Sequence, residues 1–297
     1  MNLKMAGNTA GTQPLVRVVT DSVSDVPDDI LNELGVTMVP VIVRFGTEEF
    51  RDRRDITMDQ FMARLTTTKE PARTSQPSPG AFVEAFRRAA EGGAAVVSIQ
   101  PSAKFSGTYQ SACIARDILA PEGYRIEVLD TETASMGQGW AVIQAARAAL
   151  AGLPVERVLE RARAISQRVH VLLAVDTLTY LQRNGRLGRV PAMVGSFLGL
   201  KPILAVRHGE LGLCEMVRGA DKLKARLVKA IARNVPEGAK VALGVVHAAA
   251  REKADQLRQE LSRVYHVVES VVTETGPAIA ANTGPGAFGA MLYEVDG

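Results

Sequence analysis

Short β-branched runs alternate with stretches of helical periodicity along most of the chain. That pattern predicts an α/β fold with a largely parallel sheet. Residues 15–20 (LVRVVT) read as a buried strand closed by the polar turn DSVSD, and Pro27 opens a helix to about residue 34. Residues 36–43 (VTMVPVIV) read as one strand, and a helix near 58–65 follows with Thr57 as its N-cap. In ARTSQPSPG two prolines hold the residues before them extended, so no helix is expected there. Next come a helix at 81–90, a strand at 94–100, the loop PSAKFSGTYQSA and a helix to about residue 119. A strand at 126–130 and helices near 138–151 and 155–168 complete this part.

A strand at 169–176 (VHVLLAVD) starts a second unit. It continues with a short helix at 178–184, a strand at 201–206 and a hairpin at 209–213 into 214–218. A helix at 221–233, a strand at 241–247, a helix at 252–264 and a strand at 266–273 follow. The expected organisation is a disordered tail (1–14), an N-terminal parallel-sheet α/β domain (15–168) and a C-terminal α/β domain (169–297). The ligand is expected between the two.

Composition narrows the function. With 35 basic and 32 acidic residues the net charge is only +3, and aromatics are 5 %. Neither a basic face for nucleic acid nor a stacking platform for bases is implied. No run approaches the roughly 18 apolar residues of a membrane span, so no stable membrane insertion is expected. The first residues carry no apolar run of a secretory leader, and Cys113 and Cys214 lie far apart. Both features suit a cytoplasmic protein with reduced thiols.

Gly284, Gly286 and Gly289 have the G-x-G-x-x-G spacing of a dinucleotide turn. That turn needs a following helix and an acidic residue about 20 positions on. Only residues 290–297 follow Gly289, and Pro285 stiffens the turn, so no nicotinamide site is expected. Four loops share hydroxyl and glycine residues at strand ends: Thr20-Asp21-Ser22, Thr74-Ser75-Gln76, Ser106-Gly107-Thr108 and the segment from Thr275 to Gly289. Each reads either as caps and turns or as part of one anion site beyond the strand ends. Motifs of nucleotide, zinc and serine-hydrolase chemistry are missing. The histidines at 170, 208, 247 and 266 fall outside the four loops. The chain reads as a binder rather than a catalyst.

Six segments, in order, resemble the motifs of the DegV family over about residues 16–294. They are VTDSVSD (19–25), TSQPS (74–78), FSGTYQSA (105–112), LTYLQRNGR (178–186), GLKPIL (199–204) and TGPAIAANTGPGAFG (275–289). The resemblance implies a two-domain fold enclosing one long-chain fatty acid, such as palmitate. Its C-terminal domain is then related to the substrate-binding part of dihydroxyacetone kinase. It further implies a bacterial carrier subunit of fatty acid kinase, whose separate ATP-dependent kinase subunit converts the bound acid to an acyl phosphate. The carrier itself is then not an enzyme: it has no catalytic residues, metal or cofactor, and the fatty acid is its ligand.

By the same resemblance Thr74, Ser106 and the residue at 282 hold the carboxylate, and Arg218 serves the kinase step or the incoming phosphate. From loop geometry, the Ser75 hydroxyl and the backbone at Gly107 and Thr108 add donors. The family has histidine where this chain has Asn282, which donates a hydrogen bond but carries no charge. Lys104, where the family often has glycine, is read as the compensating charge. The terminal glycines are expected to pass close to the head group and pack the last segment. Candidates for the tail slot, with ordinary core as the alternative, are 61–65 (FMARL) and 192–200 (AMVGSFLGL), including Met62 and Met193. Two rival readings stay open: a metal-dependent small-molecule enzyme using Asp21 and Asp25, and a lipid-binding regulatory protein no longer coupled to a kinase.

Overall fold

The computed structural model describes residues 15–68, 70–187 and 199–295. The proposed tail at 1–14 and most of 192–200, Met193 included, lie outside them. The first sheet is parallel, in the order β2 (Thr37–Val39), β1 (Val16–Asp21), β6 (Ala95–Gln100), β7 (Ile126–Asp130). Side chains alternate across a strand, so β1 sends Val16 and Val18 to one core and Val19 to another. On the Val19 side lie α3 (Pro79–Ala89) and α4 (Thr108–Leu119); on the other lie α1 (Asp28–Glu33), α5 (Met136–Leu150) and α6 (Val155–Arg168).

Helix α5 is apolar nearly all round, and such a helix must be covered on every side. It packs on β1 and β6 and also on the second sheet, with Gly137 and Gly139 permitting the approach. A Cβ at 137 would stand 2.6 Å from Val171 Cγ2, and one at 139 would stand 2.7 Å from the Ser24 carbonyl oxygen. The second sheet runs β10 (Glu210–Arg218), β9 (Leu200–Arg207), β8 (His170–Ala174), β13 (Phe288–Glu294), β11 (Lys240–His247), β12 (His266–Glu274). Only β11 and β12 pair in parallel; the other pairings are antiparallel. Its far face is covered by α8 (Ala220–Ala232) and α9 (Arg251–Val264). The parallel arrangement expected for the whole chain therefore holds for the first sheet and at one edge of the second.

The run 36–43 is not one strand. Pro40 has no N–H to give a ladder, and the chain leaves β2 there to enter β3 (Ile42–Phe45) of a different sheet. That sheet is small and antiparallel, β4 (Glu48–Arg51), β3, β5 (Arg73–Ser75), and β5 carries Thr74 opposite Val43. Thr57 caps α2 (Met58–Thr67) in a reciprocal pair with Gln60. The hairpin turn is His208-Gly209, both with positive φ, so 210–213 are already strand. The short helix α7 (Thr179–Arg183) forms where expected, while β4, β5, α10 (Pro277–Thr283) and the central strand β13 have no counterpart in the predicted pattern.

The G-x-G-x-x-G spacing is explained here. Gly284 and Gly286 have φ of +76° and +81°, and a Cβ at 284 would stand 2.4 Å from the Tyr180 ring. At Gly289 a Cβ would meet the Leu172 carbonyl oxygen at 2.5 Å, inside the β8–β13 pairing. The glycines seat the last strand between β8 and β11.

Candidate functional site

A cavity enclosing ≈ 1070 Å³, its open mouth included, lies between the loops after β1, β5, β6 and β7 and the near face of the second sheet. Its walls are mainly aliphatic, with Val23, Val41, Val171, Leu173, Val246 and Met291 among them. Its polar lining includes Thr74, Ser75, Gln76, Ser106, Arg186 and Asn282, with Ser135, His247, Thr275 and Thr283 besides.

Each polar side chain is placed by a separate element. Pairing of β5 with β3 fixes Thr74 and Ser75. Ser106 stands two residues before α4; its Oγ accepts from the Thr108 N–H at 3.2 Å and shares a hydrogen bond of 2.7 Å with Thr108 Oγ1. Thr108 is buried behind it. Asn282, on α10, donates from Nδ2 to the Ala278 carbonyl at 2.9 Å, and its buried Oδ1 has no protein partner. Arg186 follows the turn at Asn184-Gly185. Its Nε donates to the Phe105 carbonyl at 3.2 Å and its Nη1 to the Asn184 carbonyl at 2.6 Å. Two backbone acceptors thus hold the guanidinium at the cavity wall, a planar donor suited to a carboxylate or phosphate.

Three carboxyl groups are buried behind the loop after β1. Asp25 Oδ2 accepts from Ser135 Oγ at 2.5 Å and Thr275 Oγ1 at 2.7 Å, and its Oδ1 accepts from the Gly276 N–H at 2.9 Å. Ser135 and Thr275 both line the cavity, so Asp25 ties two of its walls together. Burial raises the Asp25 pKa against those hydrogen bonds. At Asp21 burial outweighs the Gln138 amide at 3.0 Å and pushes the pKa up to about 8. Asp52, which accepts from the Ala278 N–H at 3.1 Å, is pushed up to about 6, chiefly by burial. His247, 4 % exposed, accepts from the Ala250 N–H at 3.3 Å, and burial lowers its pKa.

The structure therefore gathers Thr74, Ser75, Ser106 and Asn282 from three distant parts of the sequence into one cavity. Gly107 and Thr108 sit directly behind Ser106. Lys104 stands apart: its ammonium donates to the His208 carbonyl at 2.8 Å and pairs with Glu210 at 3.4 Å, on the β9–β10 hairpin. Arg218 is exposed at the end of β10, outside the lining. Residues 61–65 are not part of this cavity's lining; Phe61 is fully buried against Phe45, with ring centroids 5.6 Å apart. Asp21 and Asp25 are committed to internal hydrogen bonds, and among the described residues no group of three or more His, Cys, Asp or Glu could hold a metal ion. Nor, among those residues, is any helix long and apolar enough to cross a membrane. Arg186 was quoted only within its motif and Gln76 only within the Thr74-Ser75-Gln76 loop, neither side chain with a role of its own; the Asn-Gly turn that aims Arg186 was the available signal.

Comparison with known proteins agrees with this geometry. The family model described as "Uncharacterised protein, DegV family" matches residues 15–295. A DegV domain-containing protein of Streptomyces coelicolor is 36% identical over 280 residues, covering 93% of this chain and 98% of its own. A DegV family protein from Thermus thermophilus, solved and described for its fatty acid binding, superposes with a TM-score of 0.87 at 33% identity, covering 94% of this chain and 99% of that one. A stearic acid-binding protein from Eubacterium ventriosum superposes with a TM-score of 0.83 at 26% identity, covering 94% and 98%.

Proposed function

This chain belongs to the DegV family, and from that premise we propose that its cavity holds one long-chain fatty acid and presents it to an ATP-dependent kinase partner for acyl phosphate formation. The observation that carries the reading is the cavity itself, lined mainly by aliphatic side chains together with a set of hydroxyls, amides and Arg186. A fatty acid has the same division of chemistry. Thr74, Ser75, Ser106 and Asn282 receive the carboxylate, Gly107 and Thr108 brace Ser106, and the Arg186 guanidinium supplies the positive charge that Asn282 lacks. Arg218, exposed at the end of β10, is the residue offered to the partner. The units 15–168 and 169–297 are the two halves that close over the tail.

The tail dominates affinity. Each buried methylene contributes about 0.8 kcal/mol. Shortening the acid from sixteen to twelve carbons therefore removes about 3 kcal/mol and is expected to weaken binding roughly 200-fold. Titration calorimetry with the two acids reads this directly, and equal affinities would mean that the tail stays outside the cavity.

The reading is tested by purifying the protein from cells grown without added lipid and analysing its organic extract by mass spectrometry. A stoichiometric acid of roughly 14–18 carbons is expected. A protein that comes out empty and fails to take up added palmitate would overturn it. Addition of the kinase partner and ATP should then yield an acyl phosphate, trapped by hydroxylamine as the hydroxamate. Fatty acid binding without any hydroxamate would leave the regulatory reading in its place.

A further inference from the structure

Gln76 follows directly on β5 and precedes Pro77, whose ring keeps residue 76 in extended backbone. A stiff segment therefore aims the side chain. It lines the cavity yet is exposed, so one side faces the ligand space and the other faces water. Its amide lies against Gly107. That glycine has φ −72° and ψ 3°, a conformation open to any residue, so the backbone does not require it. The Gln76 amide occupies the space a side chain would take: a Cβ at 107 would stand 2.9 Å from Gln76 Cδ and Nε2 and 3.3 Å from Oε1, so a larger residue there would displace the amide. The missing side chain at 107 is what lets the amide rest on the turn beside Ser106. Ser106 and Arg186 are held by hydrogen bonds to their neighbours, and Asn282 to its own helix. The Gln76 amide, by contrast, has no hydrogen-bond partner among the described residues, which leaves its N–H groups available to a ligand.

We propose that Gln76 is a further head-group ligand, closing over the carboxylate from the solvent side with Nε2 donating to its outer oxygen. The proposal rests on the fatty acid reading above. It gives the TSQP segment three polar side chains in a row at the site, Thr74, Ser75 and Gln76. It also assigns Gly107 a reason, which is to make room for the third.

The charge of the head group makes the test selective. Gln76→Glu keeps the size of the side chain, removes the donor and places a second carboxylate beside the first. Palmitate and hexadecanol binding are measured for wild type, Gln76→Ala and Gln76→Glu at about pH 8, and palmitate again at about pH 5. Wild-type binding of palmitate comes first; without it the fatty acid reading itself fails, and Gln76 is not the cause. Given that binding, Gln76→Glu is expected to weaken palmitate at least roughly tenfold at the higher pH, with recovery at the lower. Gln76→Ala should lose roughly three- to tenfold, and hexadecanol should bind all three proteins alike. Palmitate affinity within about twofold of wild type in Gln76→Glu overturns the proposal. So does an equal loss for hexadecanol, which would place the effect in the shape of the mouth rather than at the head group.

Discussion

The stability of the wild-type protein relative to Asp21→Asn is expected to fall by on the order of 4 kcal/mol between about pH 5 and about pH 9. Asp21 is fully buried, and burial outweighs the Gln138 amide, so its pKa in the folded chain is pushed up to about 8 from an ordinary 3.8. In this window the folded chain keeps the proton that the unfolded chain gives up. Stability is thus greatest below the unfolded pKa, declines as pH rises, and levels off once the folded pKa is passed. Asparagine keeps an acceptor for Gln138 Nε2 and does not titrate. His170 and His247, lowered chiefly by burial, titrate in both proteins and cancel in the difference, while the charges of Asp25 and Asp52 act on Asp21 itself and belong to the effect measured. Urea unfolding at three pH values measures it. A difference that stays constant with pH would show that Asp21 is ionised in the folded state, which the orphaned Asp21 Oδ2 argues against.

Trp140→Ala is expected to lose about 3–5 kcal/mol of stability. The side chain is fully buried at the centre of α5, meets Tyr293 edge-on at 5.7 Å between ring centroids, and donates from Nε1 to the Met291 carbonyl at 3.0 Å. Removing it opens a void between α5 and the second sheet and leaves that carbonyl without its indole donor. Trp140→Phe keeps most of the burial and should lose about 1–2 kcal/mol, the share of the hydrogen bond and the smaller ring. Because this is the only tryptophan, circular dichroism rather than fluorescence has to follow the unfolding. Met291 also lines the cavity, so the alanine variant should release a bound fatty acid faster as well. Unchanged stability would mean that α5 and the sheet do not share a core.

The strongly periodic elements were legible in the sequence. Residues 126–130 and 155–168 became β7 and α6 with the expected bounds, and Thr57 caps α2 as its side chain suggests. Pro40 was the available warning that 36–43 is two strands, because a residue without an N–H cannot sit inside a continuous ladder. The terminal glycines misled in a different way. Their spacing imitates a nucleotide turn, while their cause lies about a hundred residues away, in Tyr180, Asp176 and Leu172. Nothing local records which backbone a missing Cβ makes room for.

At the site the motifs identified Thr74, Ser75, Ser106 and Asn282, but their meeting is a property of the assembled sheets. Thr74 is carried there by its pairing with β3, and Asn282 by a helix leading into β13. Lys104 shows the limit: next to Ser106 in sequence, it faces a hairpin that folds against it from residues 208–210. By itself the sequence determined the strongly periodic strands and helices, and which loops hold hydroxyl and amide groups, because periodicity and turn chemistry act over a few residues. Only the tertiary structure decided that β13 enters the middle of the second sheet, that Arg186 and Gln76 line the cavity beside the hydroxyls, and that burial raises the Asp21 pKa. Those outcomes depend on close approach and burial between groups far apart in the chain, and pairing over such separations is set by the packing of the whole.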